Sequence, residues 1–275
     1  MKEKWEEIYT KDQLLKIQKI EKDELKEIIR ICNILKLDFI VYGGTLLGTI
    51  KYGDIIPWDD DVDIAMPRKD YMIFLKEAPK LLESNFILQT PYNEIKSPYP
   101  YTKLRKKGTK MIEKYYNRLK IQQGVYVDIY PIDNVPDNEI DRKKQFYKIK
   151  KWIRLYYYRQ CLRFDLNPKK ILKTFIYTIL YFSLKFIPQK YFISKIDNYM
   201  SKYNEEDTER KACFFSPNFH NIFIKFYPLE NKKFGDILVK VPCSYDDHLR
   251  KRYGDYKKNL PPEKRIGHSP YEVEV

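Results

Sequence analysis

This chain has only four cysteines, Cys32, Cys161, Cys213 and Cys243, far apart, with no C-x-x-C spacing and no histidine beside them. That excludes a disulfide framework and a zinc site of ordinary spacing, and points to reduced, mostly buried thiols in a cytosolic protein. A long apolar run is also missing. The most hydrophobic stretch, residues 171 to 188, is interrupted by Lys173 and Lys185. It falls short of the ~20 residues that span a bilayer, so no transmembrane helix is expected, with interfacial contact left open. The opening "MKEKWEEIYTKDQ" has no apolar core, and no signal peptide is expected there. Acids are scarce beside bases: 38 Asp and Glu against 52 Lys and Arg, a formal net charge of +14. Such an excess implies an anionic partner, whether nucleic acid, an acidic membrane face or a phosphorylated substrate. No internal repeat is visible.

What is present reads as a sequence of short elements. Residues 11 to 36 carry Leu14, Ile17, Leu25, Ile28, Cys32 and Leu35 at helical spacing among charges. "DFIVYGG" is strand character running into two glycines, and "TLLGTIKYG" is a short helix ending at Gly53. "DVDIAM" alternates as a strand, closed by Pro67, and "RKDYMIFLKEAPKLLES" reads as a helix stopped at Ser84 and Asn85. "NFILQT", "YTKLRKK" and a strand bounded by Gly124 and Pro131 complete the pattern of an α/β or α+β domain with a modest sheet. Residues 139 to 205 change character to helical, aromatic and basic; "RKKQFYKIKKWIRLYYYRQCLR" carries nine Lys or Arg and no acid. Further on, a strand at "FGDILVKVPC", a helix at residues 244 to 253 and an irregular tail are expected.

Chemistry concentrates in "IPWDDDVDIAMP", residues 55 to 66. Asp59, Asp61 and Asp63 share a face if the strand starts early, while Val62 and Ile64 point to the core and Asp60 points away. Carboxylates on one strand edge suit a hard divalent cation, Mg2+ or Mn2+, which would relieve their repulsion. A solvated acidic turn after Pro57 is the other reading. Upstream, Gly43, Gly44 and Thr45 form either an anion-binding turn at a helix start or a strand–helix turn that needs positive φ. Asp128 lies between apolar neighbours in a later strand, where a lone ionised carboxylate is costly, so it is expected to join the cluster. Asp133 reads as a turn residue. Lys103 and Arg105 stand two apart on one strand face and offer contacts to phosphate oxygens, as does Arg68 just past the aspartate strand.

Taken together, "YGGTLLGTIKYGDIIPWDDDVDIAMPRKDY", "YTKLRKKGT", "GVYVDIYPIDNVP" and "VPCSYDDHLRKRYGDYKKNLPPEKRIGH" strongly resemble the LicD family of cholinephosphotransferases in the nucleotidyltransferase superfamily. The matching segments run from residue 42 to 268. The resemblance implies an α+β, nucleotidyltransferase-like fold: a small mixed sheet flanked by helices, with a helical basic and aromatic insertion. Residues 1–138 would be the catalytic core, 139–205 the insertion, and 206–275 a C-terminal segment completing the catalytic domain. It further implies metal-dependent transfer of phosphocholine from CDP-choline to a hydroxyl of a cell-surface glycan, or of its undecaprenyl-linked precursor, of teichoic acid or lipopolysaccharide type, with release of CMP. Gly43, Gly44 and Thr45 match the family's glycine turn, Asp61 and Asp63 its acid pair, and Asp128 its third acid.

On that reading Asp61, Asp63 and Asp128 are catalytic and hold Mg2+ or Mn2+, with Asp59 a further ligand. The donor's phosphates would meet the glycine turn, Lys103, Arg105, Arg68 and His268, the last equally open to a structural role. Trp58 and Tyr101 are candidates to hold choline through cation–π attraction. No nucleic acid partner is expected. The protein would be cytoplasmic, with peripheral contact to the inner membrane face open. Two rivals stand beside this: a glycosyltransferase whose D-x-D holds a nucleotide-sugar diphosphate, and a non-enzymatic module that binds anionic surfaces.

Overall fold

The computed structural model describes residues 4–94, 96–113, 116–160, 171–215, 222–268 and 270–275. Helix α1 (Lys11–Leu35) is entered through Thr10, whose hydroxyl accepts from the Gln13 backbone while the Gln13 side chain accepts from Thr10, a capping box. It ends at Lys36 in the left-handed conformation. After β1 (Ile40–Val41) the chain turns directly into α2 (Gly43–Lys51), then β2 (Val62–Pro67) and α3 (Arg68–Leu81). Strands β3 (Phe86–Gln89), β4 (Thr102–Lys106), β5 (Lys110–Glu113) and β6 (Tyr126–Val135) follow.

The main sheet runs β1-β2-β6-β4-β3 and is mixed: β2 and β6 are parallel, and the other neighbours in that order are antiparallel. Its period-two alternation sends Val62, Ile64, Met66, Leu104, Val127 and Ile129 into one core with Leu25, Ile28 and Ile31 of α1 and Phe74 of α3. Alternate residues therefore project from the opposite face, and these include Asp63, Lys103 and Asp128.

Strand β6 continues past Pro131, where the sequence pattern implied a stop. The proline falls where one edge of β6 changes partner: pairing with β4 ends at Ile129, and pairing with β7 (Arg210–Ala212) begins at Asp133. A residue without an N–H is tolerated at such a gap. Asp133 is accordingly a buried strand residue rather than a turn residue.

The basic segment is helical where it is described: α4 (Glu139–Gln160), α5 (Ile171–Lys185) and α6 (Gln189–Met200). The expectation for residues 161–170, Cys161 included, lies outside the described residues. Phe146, Ile149 and Tyr156 of α4 and Phe192, Ile193 and Ile196 of α6 form a second core with Val135 and Phe214. Tyr156 also donates to the Ser97 carbonyl at 2.8 Å, which ties this layer to the connection between β3 and β4.

Strand β8 (Ile222–Ile224) pairs with β7, and β9 (Leu229–Phe234) and β10 (Ile237–Pro242) form a hairpin turning at Gly235, φ +58°. Helix α7 (Tyr245–Tyr253) falls where the sequence predicts it. The tail then ends in β11 (Pro270–Glu274) against β5. The fold is thus α+β, a mixed sheet with helices. Among the described residues no helix is long and apolar enough to cross a membrane. Cys32 and Cys213 are buried free thiols and Cys243 is a half-buried one.

Candidate active site

The site is built by strand register. Asp63 of β2 is paired with Asp128 of β6, and Asp128 with Lys103 of β4, so three charged side chains stand in a row across adjacent strands. Lys103 is buried, with its Nζ 2.6 Å from Asp128 Oδ1. The Tyr130 hydroxyl lies 3.0 Å from Asp128 Oδ2 and 3.3 Å from Asp63 Oδ1, within reach of both carboxylates.

The glycine turn meets this row at its open end. Asp63 is held by its backbone: its N–H donates to Thr45 Oγ1 at 2.8 Å and its carbonyl accepts from Tyr42 N–H at 2.9 Å. Thr45 therefore positions Asp63, and its hydroxyl is already engaged. Gly43, at φ +59°, is seated against Asp63; a Cβ there would lie 2.6 Å from Asp63 Oδ2. Gly44 abuts Asp59 in the same way, at 2.8 Å. Absent side chains thus let two carboxylates close on the first turn of α2, whose N-terminal amides carry partial positive charge. Gln18 of α1 holds the Asp59 carbonyl at 2.8 Å.

Crowding has an electrostatic signature. Burial first, then Asp61 and Asp128, raises the Asp63 carboxyl well above the ordinary range, and burial with Asp61 and Asp60 does the same to Asp59. Burial also raises Asp128, against the pull of Lys103. Glu21 of α1 is buried nearby and raised too, by burial and then by Asp61, Asp60 and Asp59. Burial is the leading cause at each of these groups, and neighbouring carboxylates add to it.

Asp60 does point away from this group, but into protein rather than water. It is fully buried, accepts from the Tyr9 hydroxyl, and accepts from the His268 backbone N–H at 2.9 Å. The His268 ring closes the clasp: Nδ1 lies 3.1 Å from Asp60, and Nε2 lies 3.8 Å from Asp61 Oδ2. The hydrogen bond to Asp60 and the charge of Asp61 raise the His268 pKa, which favours its protonated form. One aspartate therefore ties residues near both ends of the chain to the acidic rim. No local sequence pattern signals Asp60 or Tyr9, because their partner lies 208 residues along the chain from Asp60.

Several expected phosphate contacts are committed elsewhere. Arg105 is buried and donates to Gln89 at 2.8 Å and to the Gly124 carbonyl at 2.7 Å. Arg68 sits at the opposite end of β2 and forks onto Asp133 at 2.6 and 2.8 Å, with Asp197 at 3.0 Å. Lys103 faces Asp128 and is enclosed by the rings of Tyr99, Tyr101 and Tyr126, with its Nζ 3.3 Å from the Tyr126 centroid. Burial lowers its pKa. The residue the sequence reading passed over is Arg252 of α7, which packs beside Gly43 and Asp63 and draws the Asp63 pKa down.

Of the two aromatic candidates, Tyr101 joins a wall beside the acids, with its ring 4.8 Å from Tyr130 and 5.2 Å from Phe215. Trp58 lies apart from that wall, against Tyr52, with the Arg265 guanidinium 4.6 Å from its ring. Its face is already shared with a cation.

Strand β2 begins only at Val62, so Asp59 and Asp61 lie in the segment leading into it rather than on a strand face. Asp63 is on β2 and Asp128 on its parallel neighbour, beside the glycine turn that opens α2, the arrangement expected of a nucleotidyltransferase domain. The family model described as "LicD/FKTN/FKRP, nucleotidyltransferase domain" matches residues 36–170, a span that takes in the turn, the aspartates and Asp128. Lipopolysaccharide cholinephosphotransferase LicD of Haemophilus influenzae is 25% identical over 248 residues, covering 85% of this chain and 86% of that protein. Residues 36–170 thus carry a LicD-family nucleotidyltransferase domain, and the likeness to LicD extends over most of the chain.

Proposed function

We propose that this protein transfers phosphocholine from CDP-choline to a hydroxyl of a cell-surface glycan or its lipid-linked precursor, releasing CMP, with a divalent cation at the acidic row. The observation that carries the reading is the register of Asp63 with Asp128 on parallel strands, opposite the Gly43–Gly44 turn. The relative's name, a lipopolysaccharide cholinephosphotransferase, supports the group transferred and the kind of acceptor.

The residues fit a cation of the Mg2+ kind. Among the described residues no three His, Cys, Asp or Glu side chains are gathered closely enough to hold a metal ion by themselves. Mg2+ needs no such group, because it is held by one or two carboxylates together with substrate phosphates and water. Asp61 and Asp63 would hold it, with Asp128 and Asp59 on the same rim. Mutual repulsion adds to burial in raising the carboxyls of Asp59 and Asp63, and a divalent cation would relieve that repulsion. When bound, the ion would neutralise the diphosphate and draw charge from the departing CMP.

The chain's own groups do the rest. The first turn of α2 presents backbone N–H groups to a phosphate oxygen, and Arg252 adds positive charge beside it. Lys103 holds Asp128 in place and balances its charge, while Tyr130 orients it. Asp128 is then the group placed to accept the proton of the attacking hydroxyl. The wall of Tyr101, Tyr130 and Phe215 offers aromatic faces to a quaternary ammonium group at about 0.5–2 kcal/mol per contact.

A screen of CDP-activated donors with Mg2+ or Mn2+, following CMP release and the modified glycan, tests the reading. CDP-choline should be consumed with matching transfer. Sugar transfer from a nucleotide sugar, with CDP-choline inert, would replace it with the glycosyltransferase alternative.

A further inference from the structure

Helix α5 is unusual among the described helices in that none of its described side chains is fully buried. It rests on α4 through its back, where the tilted rings of Tyr177 and Tyr158 lie 4.8 Å apart. Its outer side carries Leu172, Phe175, Ile176, Ile179, Phe182 and Phe186, the last just past the helix end. At 100° per residue these six fall within an arc of about 120°. They are open to solvent, Leu172 at 70%, Phe175 at 62% and Phe186 at 88%. Single exposed apolar residues are ordinary, but a contiguous aromatic and aliphatic stripe along four turns marks a contact surface.

The charge around the stripe selects its partner. Between residues 142 and 196 the sequence holds fifteen Lys or Arg and one acid, Asp165. The edge of α4 that meets α5 through Tyr158 continues, one and two turns back, as Arg154 and Lys151, both exposed. At the other end of α5, Tyr181 and Lys185 form one wall of a cavity of about 370 Å³. Lys96, Arg118 and Lys120 supply further cations to that cavity, and no acid lines it. A second protein copy would bring the same basic rim against itself. An anionic bilayer satisfies both features at once, with acyl chains for the stripe and phosphates for the cations.

We propose that α5 and the basic cavity at its C-terminal end form a docking surface for an anionic lipid bilayer. The apolar arc lies in the plane of the interface, and lipid phosphates occupy the space among Lys96, Arg118, Lys120 and Lys185. This surface is independent of the donor and the acidic row, so it holds or fails separately from the catalytic proposal.

The test is flotation of the full chain with vesicles, no substrate present. Wild type should float with phosphatidylglycerol–phosphatidylcholine vesicles at low salt, should be released as salt is raised, and should stay behind with phosphatidylcholine alone. The exposed double variant Phe175→Ser/Phe182→Ser should lose at least about tenfold in partitioning. Arg118→Glu/Lys120→Glu should lose the preference for anionic lipid. Both variants should melt as wild type does and retain its CMP release in solution. Absence of wild-type flotation at low salt would overturn the proposal. So would unchanged binding by the phenylalanine variant, or its conversion of a dimer to a monomer with vesicle binding intact, which would assign the stripe to a second copy.

Discussion

Replacing Gly43 and Gly44 separately by alanine probes how the acidic group is positioned, because each glycine abuts a different carboxylate and only Gly43 has positive φ. A Cβ at Gly43 would lie 2.6 Å from Asp63 Oδ2 and one at Gly44 would lie 2.8 Å from Asp59 Oδ2, where ordinary contact begins at 3.4 Å. The carboxylates would therefore have to retreat by about 0.8 Å and about 0.6 Å. Gly43 also has φ +59°, a conformation that costs an alanine roughly 1–2 kcal/mol, whereas Gly44 carries no such strain. Gly43→Ala should thus lose stability of that order as well as turnover. Gly44→Ala should stay near wild-type stability. A misplacement close to 1 Å is enough to cost about 10²-fold in rate, so Gly43→Ala should fall by that much and Gly44→Ala by somewhat less. Urea unfolding and CMP release from CDP-choline read the two effects separately. Wild-type turnover in Gly43→Ala, with its stability lowered, would refute the claim that Asp63 must sit against the turn.

The other predictions concern buried charge. Lys103→Met removes the cation facing buried Asp128 and should cost about 3–5 kcal/mol in urea unfolding, since it leaves a carboxylate without its partner; Lys103→Met/Asp128→Leu should recover much of that loss. His248 stacks on Phe223 at 4.1 Å, and burial pushes its pKa down to about 4 from the ordinary 6.5. The unfolded chain then takes up the proton first, so stability falls as pH drops from about 6.5 towards 4 and is untouched above that window. The difference amounts to about 3 kcal/mol, and His248→Leu should remove that part of the pH dependence, as read by stability curves between pH 7 and pH 4; parallel curves for the two proteins would contradict the burial of a neutral ring. Asp60→Asn weakens the clasp on Tyr9 and His268 and should raise amide exchange in the C-terminal tail, with β1, β2 and β6 unchanged.

Much of the architecture was legible because it rests on local pattern. The apolar spacing of α1, the alternation of "DVDIAM" and the glycines after "DFIVY" each imply their element, and the structure places them within a residue or two. What local pattern lacks is register. Lys103 and Arg105 share a face as expected, but only strand pairing sets Lys103 opposite Asp128 and directs Arg105 to Gln89 and Gly124. Arg68 and Asp133 read separately as a candidate phosphate contact and a turn acid; together they are a buried pair, because β6 runs on past Pro131. The strand β9 was hidden by the polar run Glu230–Lys233 inside "LENKKF", which breaks any alternation, and β11 by its place in a polar tail. Both are stabilised by a partner strand rather than by their own propensity. Alternation set Asp60 apart from the other three aspartates, but its burial against Tyr9 and His268 has no local signal.

The proposed phosphocholine transfer rests on Asp61, Asp63 and Asp128 acting together. Its most direct test is CMP release and choline incorporation into glycan by wild type and by Asp63→Asn, each checked for intact folding, in Mg2+ and after its removal by a chelator. The prediction is stoichiometric CMP and modified glycan from wild type in Mg2+, no turnover once the ion is removed, and none from Asp63→Asn under either condition. Wild-type turnover by folded Asp63→Asn would contradict it.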